Sequence, residues 1–314
     1  MEAAIPMRLS VEQVEQFSED GYLIVEGALE DSDLDPVIAE YEAHIERRAR
    51  ELLAEAKITE LHQGAPFDKR LALIAGECAE IYSGLDIMQV RGKRTFEFLA
   101  NENLLDVVEG IVGPEITCNP IQHIRAKLPS GLTPAGADGH VVAWHQDAGV
   151  TWEEADPFSI LTVWIPVVPA TEENGCLRII PRTHGAGLRE HVTRAGVGTV
   201  IVDEAMPKEE VLTLPMDKGS LLLMNKEIPH SSLHNNSDAI RWSMDLRYQE
   251  TGAPTGRPFY PDFPVRSRAD PDSVLIDHDE WCRRWETALT EARANKVRSH
   301  RWQQAPAATT PRDA

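Results

Sequence analysis

Cysteine is scarce. Cys78, Cys118, Cys176 and Cys282 are the only four in 314 residues, and no two stand close enough to suggest a zinc knuckle or a disulfide framework. That usage fits a reducing compartment. No apolar run is long enough to cross a bilayer, and the first residues lack the apolar stretch of a secretory signal. A soluble, cytoplasmic protein is therefore expected. Positive charge is also short: 31 Lys and Arg face 51 Asp and Glu, for a formal net charge of -20. Such a chain repels phosphate backbones and anionic lipid, so nucleic acid and membrane surfaces are poor partners. The acidity serves solubility first. It is also compatible with a cationic small-molecule substrate, such as an amine or aminosugar. Repeats are absent, no domain boundary stands out, and nothing in the sequence signals an oligomeric state.

Residues 1–115 read as a mostly helical flank. Ser10 and Gln13 form a capping box that opens a short helix through about Ser18, and Asp20-Gly21 turns the chain into a strand at Tyr22–Val25. A second helix is expected from Pro36 to Ala56, with Pro36 near its start and the charge run Glu46–Glu51 on a solvated face. Residues 66–112 read as helical, with Asn101 as a cap and Gly113-Pro114 as the stop. From Ile116 the pattern becomes short apolar runs between turn residues. Strands are expected at Ile116–Leu128, Val141–Gln146, Ser159–Val168, Cys176–Ile180, Thr199–Val202, Val211–Leu214, Ser220–Asn225 and Ile240–Gln249. Short strands of that kind, over residues 116–250, suit a sandwich or jelly roll. Residues 129–139 are loop by composition, either a lid or a passive connection. A Pro/Gly-rich stretch then leads to a helix at His278–Lys296, within a C-terminal extension of 251–302. Residues 303–314 read as a disordered tail.

The chemistry concentrates at Trp144-His145-Gln146-Asp147. Side chains alternate along an extended strand, so His145 and Asp147 project to one side, with Trp144 and Gln146 directed away as packing. An imidazole and a carboxylate delivered together are two-thirds of a facial iron(II) site, which needs a second histidine. His230 is the downstream candidate and His234, in the same loop, its rival. Arg241 follows His230 by eleven residues, and Ser243 lies two beyond on the same strand face. An isolated His-x-Asp is commonly a surface imidazole beside a solvated carboxylate. The ordered set of His-x-Asp, His and Arg is what raises it above that.

With these residues the sequence resembles the phytanoyl-CoA dioxygenase family of iron(II)/2-oxoglutarate-dependent oxygenases. The resemblance extends over Leu9–Glu26, Trp164-Ile165-Pro166-Val167 and Glu173–Pro181, and so over most of the chain to about residue 250. It implies a mainly β fold with flanking helices, a cupin-like double-stranded β-helix (jelly roll), in a single oxygenase domain spanning 1–314. It further implies His145, Asp147 and His230 as ligands of Fe(II), with 2-oxoglutarate as cosubstrate and O2 as oxidant. Arg241 would pair with the far carboxylate of 2-oxoglutarate, since a planar guanidinium can do so bidentately. Ser243, Ser232 and Trp164 match further cosubstrate positions, as does one of Gln122 and His123. Trp164 taken alone would be ordinary core. Asp147 favours hydroxylation or oxidative ring closure over halogenation, because related halogenases lack the carboxylate. The family's usual Pro-Gly-Ser-His is here Pro181-Arg182-Thr183-His184. His140 and His191 read as surface residues, and Trp152 and Phe158 as candidate substrate walls. Two other readings remain: a jelly-roll protein that binds a small molecule without catalysis, and a zinc-dependent hydrolase using the same ligands.

Overall fold

The computed structural model of the protein describes residues 8–132, 142–194, 196–295, 297 and 301–302. His140, the 133–139 part of the expected lid and the 303–314 tail lie outside them. Helix α1 (Val11–Asp20) opens on the expected capping box. Ser10 Oγ accepts from the Gln13 amide at 3.3 Å and Gln13 Oε1 from the Ser10 amide at 2.9 Å. Gly21, at φ 77°, closes it and leads into β1 (Tyr22–Val25).

Helix α2 runs Asp31–Ala54, starting upstream of the expected Pro36. Asp33 Oδ2 accepts from the Glu30 amide at 2.9 Å, a cap that Pro36 obscures in the sequence. Pro36 then lies inside the helix and forfeits one backbone hydrogen bond. The rest of the flank is α3 (Phe67–Glu77), α4 (Ile87–Val90), α5 (Lys93–Leu99) and α6 (Glu102–Val112), the last capped by Asn101 through the Leu104 amide at 3.0 Å.

Among the described residues, eleven further strands follow: β2 (Glu115–Cys118), β3 (His123–Lys127), β4 (Ile160–Pro166), β5 (Leu177–Ile179), β6 (His191–Arg194), β7 (Gly198–Ile201), β8 (Leu212–Leu214), β9 (Leu221–Asn225), β10 (His230–Ser232), β11 (Arg241–Glu250) and β12 (Phe263–Ser267). The large antiparallel sheet has the order β1-β9-β4-β11-β2-β12, with β3 also pairing with β11. A small sheet has the order β10-β5-β8, and β6 pairs with β7. Helix α7 (His278–Ala294) packs Trp281 and Trp285 into the core.

The arrangement is the jelly-roll architecture with helices outside it, and the details correct several expected strands. Ile116–Leu128 is broken in two: Pro120 lacks an amide hydrogen, and the buried Asn119 side chain bonds Gln249 at 2.7 Å and the Thr255 carbonyl at 3.0 Å. Of the strand expected at Val141–Gln146, the described residues 142–146 form no regular strand, only a single bridge between His145 and His230. β6, β10 and β12 were not expected. β12 hides in the Pro/Gly-rich stretch because it is an edge strand, where Pro264 is tolerated.

Alternation along β11 explains the layers. Trp242, Met244, Leu246 and Tyr248 join the apolar cluster shared with the helices, while Arg241, Ser243, Asp245 and Arg247 turn to the opposite face. That face looks toward the small sheet. Trp164, Leu222 and Met224 pack there on Leu177, Ile179 and Leu214, beside a cavity of about 460 Å³. Both faces of β4 are covered, and all seven of its residues are buried.

Candidate active site

His145 and His230 face each other across one antiparallel bridge. The His145 amide donates to the His230 carbonyl at 3.1 Å, and the His230 amide donates back at 2.9 Å. This places the two rings 4.1 Å apart between centroids. Each ring is fixed by its own backbone: His145 Nδ1 donates to the Ala143 carbonyl at 2.9 Å and His230 Nδ1 to the Ile228 carbonyl at 3.0 Å. With Nδ1 committed as a donor, Nε2 carries the lone pair and is free to bind a metal. Burial, with His230 beside it, holds the His145 imidazole at about 3, so it is neutral and ready to ligate at ordinary pH.

Asp147 completes the set at the start of a 3-10 turn, Asp147–Val150. Its Oδ1 lies 3.8 Å from His145 Nε2 and 4.0 Å from His230 Nε2. One ligand atom from each residue falls within 4.8 Å of the others. The carboxylate is held at both oxygens: the Thr162 hydroxyl donates to Oδ2 and Arg247 Nη2 to Oδ1. Burial pushes its pKa up, but Arg247 foremost, then the two imidazoles and the Thr162 hydrogen bond, bring it below the usual carboxylate range. Two imidazole nitrogens and one carboxylate oxygen within this reach are a donor set that would hold an iron(II) ion.

Cations gather at the other end of the cavity. Arg241 is buried at 3 % exposure, lies 5.3 Å over the Trp164 ring, and donates through Nη1 to Ser243 Oγ at 2.5 Å. Its Nε has no hydrogen-bond partner among the described residues. Directly opposite on β3, Lys127 donates through Nζ to Ser232 Oγ at 2.9 Å. Burial, with Arg241 adding to it, lowers Lys127 to about 7, and burial lowers Arg241 to about 10. The nearby carboxylate, Asp245, is already hydrogen-bonded to Arg125 at 3.2 Å. Gly175 makes room for Lys127: at φ +90°, an added Cβ would meet Lys127 Cε at 2.5 Å and the Leu233 carbonyl at 2.7 Å. A buried guanidinium with an unused donor and an ammonium beside it suit a carboxylate, so the donor set also fits a dicarboxylate cosubstrate.

The expected residues distribute unevenly around this site. His145, Asp147, His230, Trp164, Arg241 and Ser243 all line the one cavity. Ser232 sits behind Lys127, accepting also from the Val142 amide at 2.9 Å. Neither Gln122 nor His123 is among the lining residues. Gln122 Nε2 bonds the Asn119 carbonyl at 2.9 Å, and His123 Nδ1 contacts Asp86 at 2.5 Å. Strand β3 presents Arg125 and Lys127 to the cavity instead. His234 is exposed and outside the cluster. Trp152 and Phe158 do not wall this cavity: Trp152 packs edge-on to Phe259 at 5.6 Å, and Phe158 borders a separate hollow near Lys226. Val142, Val150, Leu177 and Thr199 form the apolar and neutral wall. Lys127, Arg247 and Thr162 were missed. The alternation that exposes Arg241 and Ser243 could have found Arg247, four residues past Ser243.

His191 is buried, not on the surface, and braces the ligand turn. Its Nδ1 donates to the Arg189 carbonyl at 2.7 Å, leaving Nε2 to accept the Gln146 amide at 3.2 Å. Gly149 approaches so closely that a Cβ there would lie 2.8 Å from His191 Nε2. Gln146 is more than packing: its side chain bonds the Gly187 carbonyl, the Glu227 carbonyl and the Arg189 amide at 3.0, 2.7 and 2.8 Å. Trp302 closes over the turn, stacking on His191 at 5.3 Å and donating through Nε1 to the Gly149 carbonyl at 2.6 Å. Support of this kind is worth roughly 10- to 100-fold in metal affinity. Trp302→Ala is therefore expected to weaken Mn(II) binding about tenfold, read by electron paramagnetic resonance titration. An unchanged affinity would show that the strap does not support the site.

Arg182 takes the left-handed conformation, φ 62°, at the position where the resemblance expects glycine. The strain is about 1–2 kcal/mol. Its bond to Asp20 Oδ1 at 2.7 Å and its amide bond to the Asp20 carbonyl at 2.9 Å hold the turn.

Comparison with known proteins places the chain in a family and a fold. Phytanoyl-CoA dioxygenase domain-containing protein 1 of Danio rerio is 27% identical over 267 residues, covering 74% of this chain and 87% of that protein. A 1-deoxypentalenic acid 11-beta-hydroxylase of Streptomyces arenae is 33% identical over 138 residues, covering 41% of this chain and 44% of its own. Among solved structures, the non-heme monooxygenase ThoJ shares the fold at a TM-score of 0.60 and 17% identity, covering 90% of this chain and 99% of that one. The sequence model described as Phytanoyl-CoA dioxygenase (PhyH) matches residues 17–243, a span containing His145, Asp147, His230 and Arg241, and the chain belongs to the phytanoyl-CoA dioxygenase family.

Proposed function

We propose that this member of the family uses iron(II), 2-oxoglutarate and O2 to hydroxylate an unactivated C–H bond of a small molecule of the secondary-metabolite kind, or to close a ring through it. The observation that carries the reading is one cavity with the His145, Asp147 and His230 donors at one end and the buried Arg241–Lys127 pair at the other. Bound iron supplies the coupling of O2 reduction and 2-oxoglutarate decarboxylation, yielding succinate and CO2, to substrate oxidation. The chain's own part is positional. His145, Asp147 and His230 hold the ion; Arg241, oriented by Ser243 and Trp164, takes the far carboxylate of 2-oxoglutarate; and Lys127, oriented by Ser232, adds a second charge. Val142, Val150 and Leu177 keep water away from the reacting carbon.

A relative named as a hydroxylase of 1-deoxypentalenic acid supports hydroxylation of a small substrate. The cavity argues for a different substrate charge from the one the acidic surface suggests. Arg125, Lys127, Arg241 and Arg247 line it against Asp147 and Asp245, so an amine gains nothing there. A zinc hydrolase would leave the Arg241–Lys127 pair without a role, and a binding-only jelly roll would leave the His145–Asp147–His230 donor set without one.

Anaerobic addition of iron(II) and 2-oxoglutarate is expected to give the visible charge-transfer absorption of the chelated keto acid, and air is expected to release succinate. No absorption would end the proposal. Lys127 adds a pH signature. Its lowered value of about 7 leaves it neutral at higher pH, whereas a bound carboxylate favours the charged form. Binding thus takes up a proton above pH 7, and 2-oxoglutarate affinity should fall by up to about tenfold per unit there. In Lys127→Met, calorimetry should find weaker binding that no longer changes over pH 7–9.

A further inference from the structure

The Arg247 guanidinium lies on the oxygen of Asp147 that faces both histidines, not on the remote one. Oδ1 is the atom 3.8 and 4.0 Å from the two imidazole Nε2 atoms, and Oδ1 is what Arg247 Nη2 holds. Thr162 takes Oδ2. Thr162 and Arg247 are directly paired residues on β4 and β11, so two neighbouring strands grip one carboxylate from a third segment, one strand on each oxygen. Arg247 is itself anchored by Nη1 to the Ile121 carbonyl at 3.3 Å, and its side chain is only 7% exposed. It lies beyond the 17–243 span that the family match covers.

We propose that Arg247 is an internal stand-in for the metal: it neutralises Asp147 while the site is empty, and an arriving dication must compete with it for Oδ1. The inference rests on the metal centre proposed above and adds a role for a residue outside the ligand set. Two physical terms have opposite signs. In the metal-free protein, a buried carboxylate flanked by two imidazoles needs a counter-charge, and Arg247 is the cation in contact with it. In the loaded protein, the same guanidinium stands next to a doubly charged ion, where like charges in a buried site repel strongly. Arg247 therefore stabilises the empty site and lowers the affinity of the filled one. Thr162 is different: it is uncharged, it holds the oxygen turned away from the histidines, and it supports ligation in both states. Arg247 is a positioning residue whose grip yields when the ion binds.

The test compares the two partners of the same carboxylate. Mn(II) is titrated into metal-free parent, Arg247→Met and Thr162→Val, with affinity read by electron paramagnetic resonance and each metal-free protein melted alongside. Arg247→Met is expected to bind Mn(II) at least tenfold more tightly than the parent, to melt at a lower temperature without metal, and to gain more on metal addition. Thr162→Val is expected to bind Mn(II) more weakly. Opposite signs are the signature, since a residue that merely holds the ligand in place would weaken binding in both variants. Equal or weaker binding by Arg247→Met overturns the proposal. Should that variant not fold, Arg247→Gln is expected to bind more tightly for the same reason, and its failure to do so is equally fatal. The parent's own titration separates this from the metal centre itself: a parent that binds no Mn(II) overturns both, whereas a parent that binds and an Arg247→Met that binds no better overturns only the stand-in.

Discussion

Replacing Asp147 by alanine is expected to abolish metal binding and to destabilise the metal-free protein in the same step. The carboxylate is one of three ligand groups, and it is also the partner that Arg247 contacts in the buried interior. Removing one partner of a buried ion pair leaves the other charge uncompensated, which costs about 3–5 kcal/mol. Against a typical total of about 5–15 kcal/mol, that loss is large enough to see by urea unfolding. Asp147→Asn separates the two effects. Its amide oxygen still accepts from Arg247 but supplies no counter-charge, so only the hydrogen-bonded part of the lost stability is expected to return, while the neutral group ligates poorly. Both variants should give no charge-transfer absorption with iron(II) and 2-oxoglutarate. If Asp147→Ala kept the parent's stability, the charge balance described for this site would be wrong.

Arg241→Ala carries the second large expectation, a loss of 2-oxoglutarate binding with metal binding kept. Truncating one member of a buried charge pair costs about 2–5 kcal/mol, or roughly 30- to several thousand-fold in affinity. Lysine is expected to rescue poorly, because an ammonium cannot make the planar two-pronged contact. Arg241 is also one cause of the low Lys127 value, so its removal lets Lys127 charge more readily and recover part of the loss. Losses in Arg241→Ala and Lys127→Met should therefore not add in the double variant. Calorimetry with Mn(II)-loaded protein reads both quantities. Unchanged 2-oxoglutarate affinity in Arg241→Ala would remove the cosubstrate assignment.

Much of the local structure was legible residue by residue. The Ser10 box, the Asn101 cap and the Gly21 turn depend only on neighbours a few positions away, and each forms as read. Where a local signal was masked, the reading slipped: Pro36 drew the start of α2 away from the Asp33 cap, and the Pro/Gly-rich composition near Phe263 hid an edge strand. Asn119 and Pro120 broke the phase of the long strand expected at Ile116–Leu128. Gln122 and His123 stand where the resemblance places another cosubstrate contact, but beyond that break β3 turns Arg125 and Lys127 to the cavity instead.

The sequence alone determined the kind of chemistry. His145, Asp147, His230 and Arg241 appear in an order and spacing that few other functions need, and the alternation of β11 already separates its polar face from its apolar one. Tertiary structure decided which of His230 and His234 meets His145, because that choice rests on one backbone bridge between segments 85 residues apart. It also decided the partners of each ligand: Arg247 and Thr162 on Asp147, Lys127 beside Arg241, and His191 with Trp302 behind the turn. Those partnerships depend on burial and on cross-strand register, and both are properties of the packed chain. Spacing along a sequence records which groups share a strand face; the electrostatic strength of a group depends on what surrounds it in space.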